Sequence, residues 1–241
     1  PAMKTENDIV DYRMRLSTGR GRIMEGFRLM TKLTLWKGVV LFSYGLKRII
    51  DIAAASVALT LGSPLFALTA ILIKFEDGGA VFFRQERVGY RGKCFGMYKF
   101  RSMRTQAESE TKSLEAQNEM QGGVIFKMKN DPRVTRVGKF IRKYSIDELP
   151  QFWNVLVGDM SLVGPRPPLP KEVELYLPDE RQRLLAKPGL TCTWQVSGRS
   201  EIDFRGQVRL DIEYIQSMST ITDIKLLIMT VPAVLLGKGA Y

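Results

Sequence analysis

The polarity of the chain changes several times along its length, and each change predicts an element. Residues up to about Lys32 are polar and basic, with Arg13, Arg15, Arg20, Arg22 and Arg28, and Gly19-Arg20-Gly21-Arg22 is expected to break any helix there. The stretch reads either as a surface-lying arm suited to anionic lipid headgroups or as plain disorder. From Leu35 to Leu46 the chain turns apolar and aromatic. This run is too short to span a bilayer, but with Trp36 and Tyr44 it has the character of an interfacial helix. Ile49 to Ile73 is the apolar peak, and Asp51 is its only charge. By length it reaches across a bilayer. Ser63-Pro64 lies past its middle, where proline removes a backbone donor and kinks a helix. Lys47 and Arg48 precede the run, and Lys74, Arg84, Arg87, Arg91 and Lys93 follow it. Basic flanks hold both ends on the cytoplasmic side. A helix broken at Ser63 and Pro64 that enters and leaves on one face satisfies both facts. A buried core hairpin of a soluble protein is the alternative.

Beyond this run the pattern predicts shorter elements. Val81–Val88 and Phe95–Arg101 flank Gly89-Tyr90-Arg91-Gly92 as a β-hairpin. Lys99 and Arg101 then share a strand face, with Arg84 expected nearby. Residues 105–121 are polar, a loose helix or loop ended by Gly122-Gly123. Asp131-Pro132 predicts a helix start, running from Arg133 to about Lys143 with Val134, Val137 and Ile141 on one face. Another helix is expected from the Asp147-Glu148 pair to about Val157, and a short amphipathic one from Pro178 to Lys187, stopped by Pro188-Gly189. Thr191 to Arg199 reads as a loop. Helices follow over Arg205–Ser217 and over Ile224–Leu236, the latter capped by Thr222 or Asp223 and too short to span a membrane. The pattern therefore predicts an α+β chain, mostly helical, with a small hairpin, a Pro-broken re-entrant membrane helix and interfacial amphipathic helices. Its divisions are a basic arm over 1–34, an interfacial and re-entrant membrane segment over 35–76 and a cytoplasmic domain over 77–241.

Composition narrows the chemistry. The 241 residues carry a net charge of +11, which points to nucleic acid, an anionic membrane surface or phosphorylated substrates. There is no histidine, so His triads, His metal sites and His general bases are excluded. Acid–base or nucleophilic work falls to Asp, Glu, Lys, Cys, Ser or Tyr. The only cysteines, Cys94 and Cys192, form neither a metal-ligand spacing nor a disulfide framework. No Gly-rich phosphate loop, G-x-G-x-x-G or nucleic-acid motif occurs, and together with the long apolar run this argues against nucleic acid as a partner.

The stretch Ser145-Ile146-Asp147-Glu148-Leu149-Pro150-Gln151 concentrates what remains. Two adjacent carboxylates stand among Lys139, Arg142, Lys143 and Arg166, a setting for metal and phosphate chemistry. Read locally, Ser145 and Glu148 match the capping box Ser-x-x-Glu, with both carboxylates favoured in a first helical turn. The two roles are compatible, because helix N-termini also bind phosphate oxygens. Arg166, in Gly164-Pro165-Arg166-Pro167-Pro168, is held where rigid backbone fixes the direction of its guanidinium.

With these residues in view, the chain closely resembles the bacterial sugar transferase family of monotopic polyprenyl-phosphate hexose-1-phosphate transferases, in its short catalytic-core form. The resemblance covers about Phe42 to Tyr241. It rests on Lys47-Arg48-Ile49-Ile50-Asp51, Ser63-Pro64, Arg87-Val88-Gly89, Tyr98–Met103, Ser145–Gln151, Gly164–Pro167 and Lys187–Thr191. It implies that Asp147 is a nucleophile attacking the β-phosphate of a UDP-sugar, releasing UMP and holding a sugar-phosphate that the phosphate of a polyprenol, undecaprenol in bacteria, then accepts. It implies that Glu148, with Asp147, holds Mg²⁺ and that Arg142 and Arg166 bind phosphate oxygens, with Lys99 assisting. Gln195 and Arg199 would contact the nucleotide by position in a shared loop. The implied setting is the bacterial inner membrane, with the catalytic domain on its cytoplasmic face, membrane lipids as partners, and exopolysaccharide, capsule or glycan synthesis as the pathway class. A homo-oligomer is compatible with it. The alternative is a non-catalytic membrane-associated scaffold in which Asp147-Glu148 only caps a helix.

Overall fold

A computed structural model describes residues 17–107, 109–110, 128, 130–198 and 202–236. The chain divides into two units, Pro1–Lys47 and Arg48–Tyr241. The segment expected as a polar loop over 105–121, with Gly122-Gly123 after it, lies largely outside the described residues.

Helix α1 spans Gly19–Asp77, 59 residues. The glycines at 19 and 21 do not break it: a glycine costs a helix about 1 kcal/mol, which a long cooperative helix absorbs. The interfacial run and the apolar peak, expected as separate segments, belong to this one element. Ser63-Pro64 lies inside this helix. Proline leaves the carbonyl four residues earlier without its N–H partner. That carbonyl is Thr60's, and the Ser63 hydroxyl donates to it at 2.8 Å. The helix is long and apolar enough to cross a membrane; its most apolar window has a mean hydropathy of 2.0 and only 11% of it is buried. The alternative of a buried core hairpin is therefore not what forms.

Within the second unit, the start of the apolar run is a docking element. Asp51 is buried and accepts from the Ser161 hydroxyl at 3.1 Å and the Leu162 amide at 2.9 Å. Arg48 donates to the carbonyls of Val155 and Leu156 at 2.6 and 2.8 Å. The far end is tied as well. Arg101 pairs with Asp77, and the Glu76 carboxylate accepts the amides of Arg136, at 2.7 Å, and Val137.

The hairpin forms as read: β1, Phe82–Val88, pairs antiparallel with β2, Cys94–Phe100. Its register sets Phe83 opposite Lys99 and Arg84 opposite Tyr98. Side chains alternate between faces along a strand, so Arg84 lies on the face away from Lys99, against the expectation. Helix α2 covers Arg136–Lys143 and starts later than Asp131-Pro132 predicts. The Thr135 hydroxyl caps it, accepting from the Gly138 amide at 2.9 Å. Asp131 instead binds Arg133, accepting its backbone amide at 3.0 Å and its guanidinium at 2.6 Å.

After α2 come a 3-10 turn over Ile146–Glu148 and helix α3, Gln151–Val157. Strand β3, Ser161–Val163, follows, then the short helix α4, Pro170–Glu174, and a 3-10 segment over Glu180–Leu185 where an amphipathic helix was expected. Strand β4, Gly189–Thr191, pairs with β3 in parallel, a second sheet that no sequence signal announced. Helix α5, Thr193–Ser197, replaces most of the loop expected from Thr191. Helix α6 covers Phe204–Gln216 and α7 covers Thr220–Leu236. The Ser219 hydroxyl accepts the Thr222 amide at 3.1 Å at the start of α7. Asp223 is not a cap but the acceptor of the Tyr214 hydroxyl at 2.6 Å.

The main core gathers Ala55, Met97, Val155, Met160, Leu162, Val163, Tyr214 and Leu226. A second cluster of Ile73, Phe100 and Ile141 packs the other end of the hairpin. Met97 and Phe100 thus anchor β2 in two places, and Lys99 lies between them.

Candidate active site

The carboxylate pair sits on backbone that only this context explains. Ser145 has φ 54° and ψ 23°, left-handed values uncommon outside glycine, and its side chain caps nothing. The capping box is therefore not formed. The backbone turns sharply at Ser145, and Asp147 and Glu148 lie in a tight 3-10 turn ahead of α3, not inside that helix.

Helix α3 is fixed to the hairpin by Asn154. This buried side chain accepts the Tyr98 amide at 3.0 Å and donates to the Gly96 carbonyl at 2.8 Å, satisfying the free edge of β2. The result aligns Lys99, on β2, with the turn: Lys99 Nζ lies 2.7 Å from Glu148 Oε1. Asn154 is a structural side chain with a functional consequence, because the pair meets only if strand and turn are locked together.

Arg166 is positioned from three sides. Arg87 Nη1 donates to the Pro167 carbonyl at 2.9 Å, the Val88 amide to Pro168 at 2.8 Å and the Gly189 amide to Pro165 at 2.9 Å. Prolines lack donors, so their carbonyls are the handles by which the segment is held. Gly164 and Gly189 make this possible. A Cβ on Gly189 would run into Gly164 backbone atoms, and one on Gly164 into the Lys187 carbonyl.

These elements line a small, partly open cleft. Its charged and polar walls are Arg87, Lys99, Glu148, Gln151, Arg166 and Gln195, completed by Met97, Pro167, Gly189 and Leu190. Four of the sequence candidates, Lys99, Glu148, Arg166 and Gln195, therefore meet here. Asp147 adjoins the cleft through Glu148 but is itself buried, 8% exposed, and is not among the wall residues. Arg142, in the last turn of α2, acts on Asp147 through its charge without lining the cleft. Arg199 lies outside the described residues. Ser63 and Pro64 belong to α1 and take no part in the walls.

Burial separates the two carboxyls. It pushes Asp147 up to about 6 against the pull of Lys99, with the Glu148 charge adding to the rise and Arg142 opposing it. Burial also works against the charge of Glu148, but Lys99 and Arg166 outweigh it and hold that carboxyl below its ordinary value. The dyad thus has one member held in its ionised form and one that takes up a proton near pH 6.

Two wall residues escaped the sequence reading. Arg87 is buried and its guanidinium falls to about 10, through burial and then the charge of Arg166. It was legible as a flanking charge and as part of the Arg87-Val88-Gly89 match, with no role assigned. The hairpin register carries the missing signal, since Arg87 pairs with Phe95 and so shares the Met97–Lys99 face. Gln151 stood inside the recognised motif but carries no charge to draw attention.

The bacterial sugar transferase family model matches residues 42–237. The galactosyl transferase CpsE of Streptococcus agalactiae is 50% identical over 195 residues, which cover 80% of this chain and 43% of the relative. The exopolysaccharide production protein ExoY of Rhizobium meliloti is 43% identical over 200 residues, 81% of this chain and 88% of the relative. The undecaprenyl-phosphate galactose phosphotransferase of Salmonella typhimurium is 45% identical over 199 residues, 81% of this chain and 42% of the relative. The chain thus spans less than half the length of two of these relatives and most of the third. The match takes in α1 from Phe42, the hairpin, the dyad and the gripped Arg166 together, and the chain belongs to the bacterial sugar transferase family.

Proposed function

We propose that this protein is a membrane-associated phosphoglycosyl transferase that moves a hexose-1-phosphate from a UDP-sugar to a polyprenyl phosphate, undecaprenyl phosphate in bacteria, at the start of exopolysaccharide, capsule or glycan assembly. The observation that carries the reading is the cleft itself. Lys99, Arg87 and Arg166 converge on an ionised Glu148 whose neighbour Asp147 is buried and raised to about 6, still a carboxylate at neutral pH. Guanidinium groups suit phosphate oxygens, and a desolvated carboxylate suits attack on phosphorus. The name of the Salmonella relative supplies the acceptor and the class of reaction.

In this reading the diphosphate enters the cleft with its oxygens on Arg166 and Lys99, and Arg142 offsets the charge that builds beside Asp147. An Asp147 carboxylate oxygen attacks the β-phosphorus, the bond to the bridging oxygen breaks and UMP leaves with that oxygen. A phosphate oxygen of the polyprenol then attacks the same phosphorus and returns Asp147 as a carboxylate. Gln195, on a cleft wall, meets the nucleotide end in this reading, with Arg199 following α5 in sequence.

The donor set fits Mg²⁺. Among the described residues no group of three or more His, Cys, Asp or Glu forms a protein-only cage. Mg²⁺ is commonly held by one or two carboxylates plus substrate phosphates, and Glu148 with Asp147 would supply the carboxylates. Bound there, the ion would neutralise the diphosphate and its leaving oxygen.

The polyprenyl acceptor calls for a membrane, and the exposed apolar surface of α1 supplies the contact. The basic flanks Lys47, Arg48 and Lys74 support a monotopic placement in the inner membrane, with the helix bent at Ser63-Pro64, both ends returning to the cytoplasmic face and the dyad on that side. Helix α7 adds an apolar face through Ile221, Ile224, Ile228 and Val231, all exposed. The test is conversion of radiolabelled UDP-sugars by detergent-purified protein with undecaprenyl phosphate. The expected product is a lipid-linked sugar diphosphate with release of UMP, dependent on Mg²⁺ and lost in Asp147→Asn. Folded protein that yields neither product from a panel of UDP-hexoses and acetamido sugars overturns the reading in favour of the scaffold.

A further inference from the structure

The cleft contains a polar group that the reaction outlined above does not use. Gln151 is 3% exposed, it is one of the residues lining the cleft, and its Nε2 amide has no hydrogen-bond partner. A buried donor left unmade destabilises a fold, and such groups in folded proteins call for an explanation. The surroundings offer one. The cations sharing this wall are committed elsewhere in the absence of substrate: Lys99 to Glu148, and Arg87 to the Pro167 carbonyl and to Gln85 Oε1 at 2.6 Å. Arg166 lies 6.0 Å over the Trp194 ring. The Gln151 amide is by contrast an uncommitted donor, on a residue lining a space whose positive walls select an anionic acceptor.

We propose that Gln151 is a substrate-binding residue whose side-chain amide donates a hydrogen bond to a phosphoryl oxygen of the nucleoside diphosphate held in this cleft. The contact rests on the UDP-sugar reading above and adds a neutral donor to its cationic ones. An amide binds a phosphoryl oxygen without adding charge, so it fixes the orientation of the diphosphate without strengthening the hold on the departing nucleotide as another cation would.

The test uses UDP with Mg²⁺ as the probe, titrated by calorimetry into the detergent-solubilised full chain. Gln151→Met keeps the volume and deletes the donor. Because it removes an unpaired buried group, the ligand-free variant is expected to melt at or above the wild-type temperature while its UDP affinity falls about tenfold. Gln151→Glu keeps the shape but sets a carboxylate against the phosphate, and is expected to bind more weakly still. Wild-type affinity in both variants overturns the proposal. So does a Gln151→Met chain that melts lower while its folded fraction binds UDP normally, because that pattern belongs to a structural glutamine. A wild-type chain that does not bind UDP overturns the donor reading itself and this contact with it, a result visible without any variant.

Discussion

At the scale of single residues, Asp147 and Ser145 show how the fold sets up the chemistry. Asp147 is raised to about 6 chiefly by burial, and in the proposed mechanism only its carboxylate attacks. Lowering pH through about 6 therefore removes the active form. The expected result is that kcat/KM for the donor half-reaction is level above pH 7 and falls about tenfold per unit of pH below 6, measured as UMP release. The same shift has a sign for stability. A carboxyl raised in the folded state binds its proton more tightly there than in the unfolded chain, so stability declines as pH rises from the ordinary value of 3.8 to about 6. Asp147→Asn should accordingly melt higher than wild type at pH 7, by roughly 2 kcal/mol in unfolding free energy, while losing activity. Ser145 stores strain of the opposite kind. Its left-handed backbone costs a residue with a Cβ about 1–2 kcal/mol. Ser145→Gly should leave the melting temperature unchanged or raise it slightly, and Ser145→Val should lower it and misplace the dyad.

At the scale of elements, the site is an alignment problem that Asn154 and the paired glycines solve. Asn154→Ala deletes both bonds to β2 and should cost about 2–3 kcal/mol. It should also lower kcat by loosening the approach of Lys99 to Glu148. Gly164→Ala places a methyl group against the Lys187 carbonyl, and an overpacking strain of about 1–3 kcal/mol should be relieved by shifting Arg166. Its effect on activity should therefore exceed its effect on denaturant unfolding. The hairpin was legible because alternation and a Gly-bounded turn are local signals, as were the bounds of α6, whose start Asp203 caps by accepting the Gly206 amide at 2.9 Å. The parallel pair of β3 and β4 was not. Three-residue strands carry no periodicity, and their partners lie far apart in sequence. The capping box failed for a related reason: Ser145 fits a left-handed turn as readily as a cap, and tertiary packing chose the turn. Lys99, Glu148 and Arg166 were legible by charge and motif, whereas Arg87 needed the strand register and Gln151 needed the cavity.

At the scale of the whole molecule, two unlike surfaces must coexist. The cleft gathers Arg87, Lys99 and Arg166, and α1 exposes Trp36, Phe42, Tyr44, Leu61 and Phe75 among many apolar side chains. A peripheral protein held only by its net charge of +11 would wash off membranes in salt, because exposed charges are screened. Apolar insertion is not screened in this way. The expected outcome is that membranes bearing this chain retain it through 1 M salt and alkaline carbonate and release it to detergent, checked by sedimentation and blotting.

The most direct test of the central claim is the intact mass of detergent-purified protein incubated with Mg²⁺ and individual UDP-sugars in the absence of lipid. The mechanism predicts an added mass of one hexose- or acetamidohexose-phosphate with a single donor or a small subset. That adduct should map to Asp147, disappear when polyprenyl phosphate is supplied and fail to form in Asp147→Asn. UMP release that persists in Asp147→Asn, or an adduct on another residue, would contradict the assignment of Asp147 as the nucleophile.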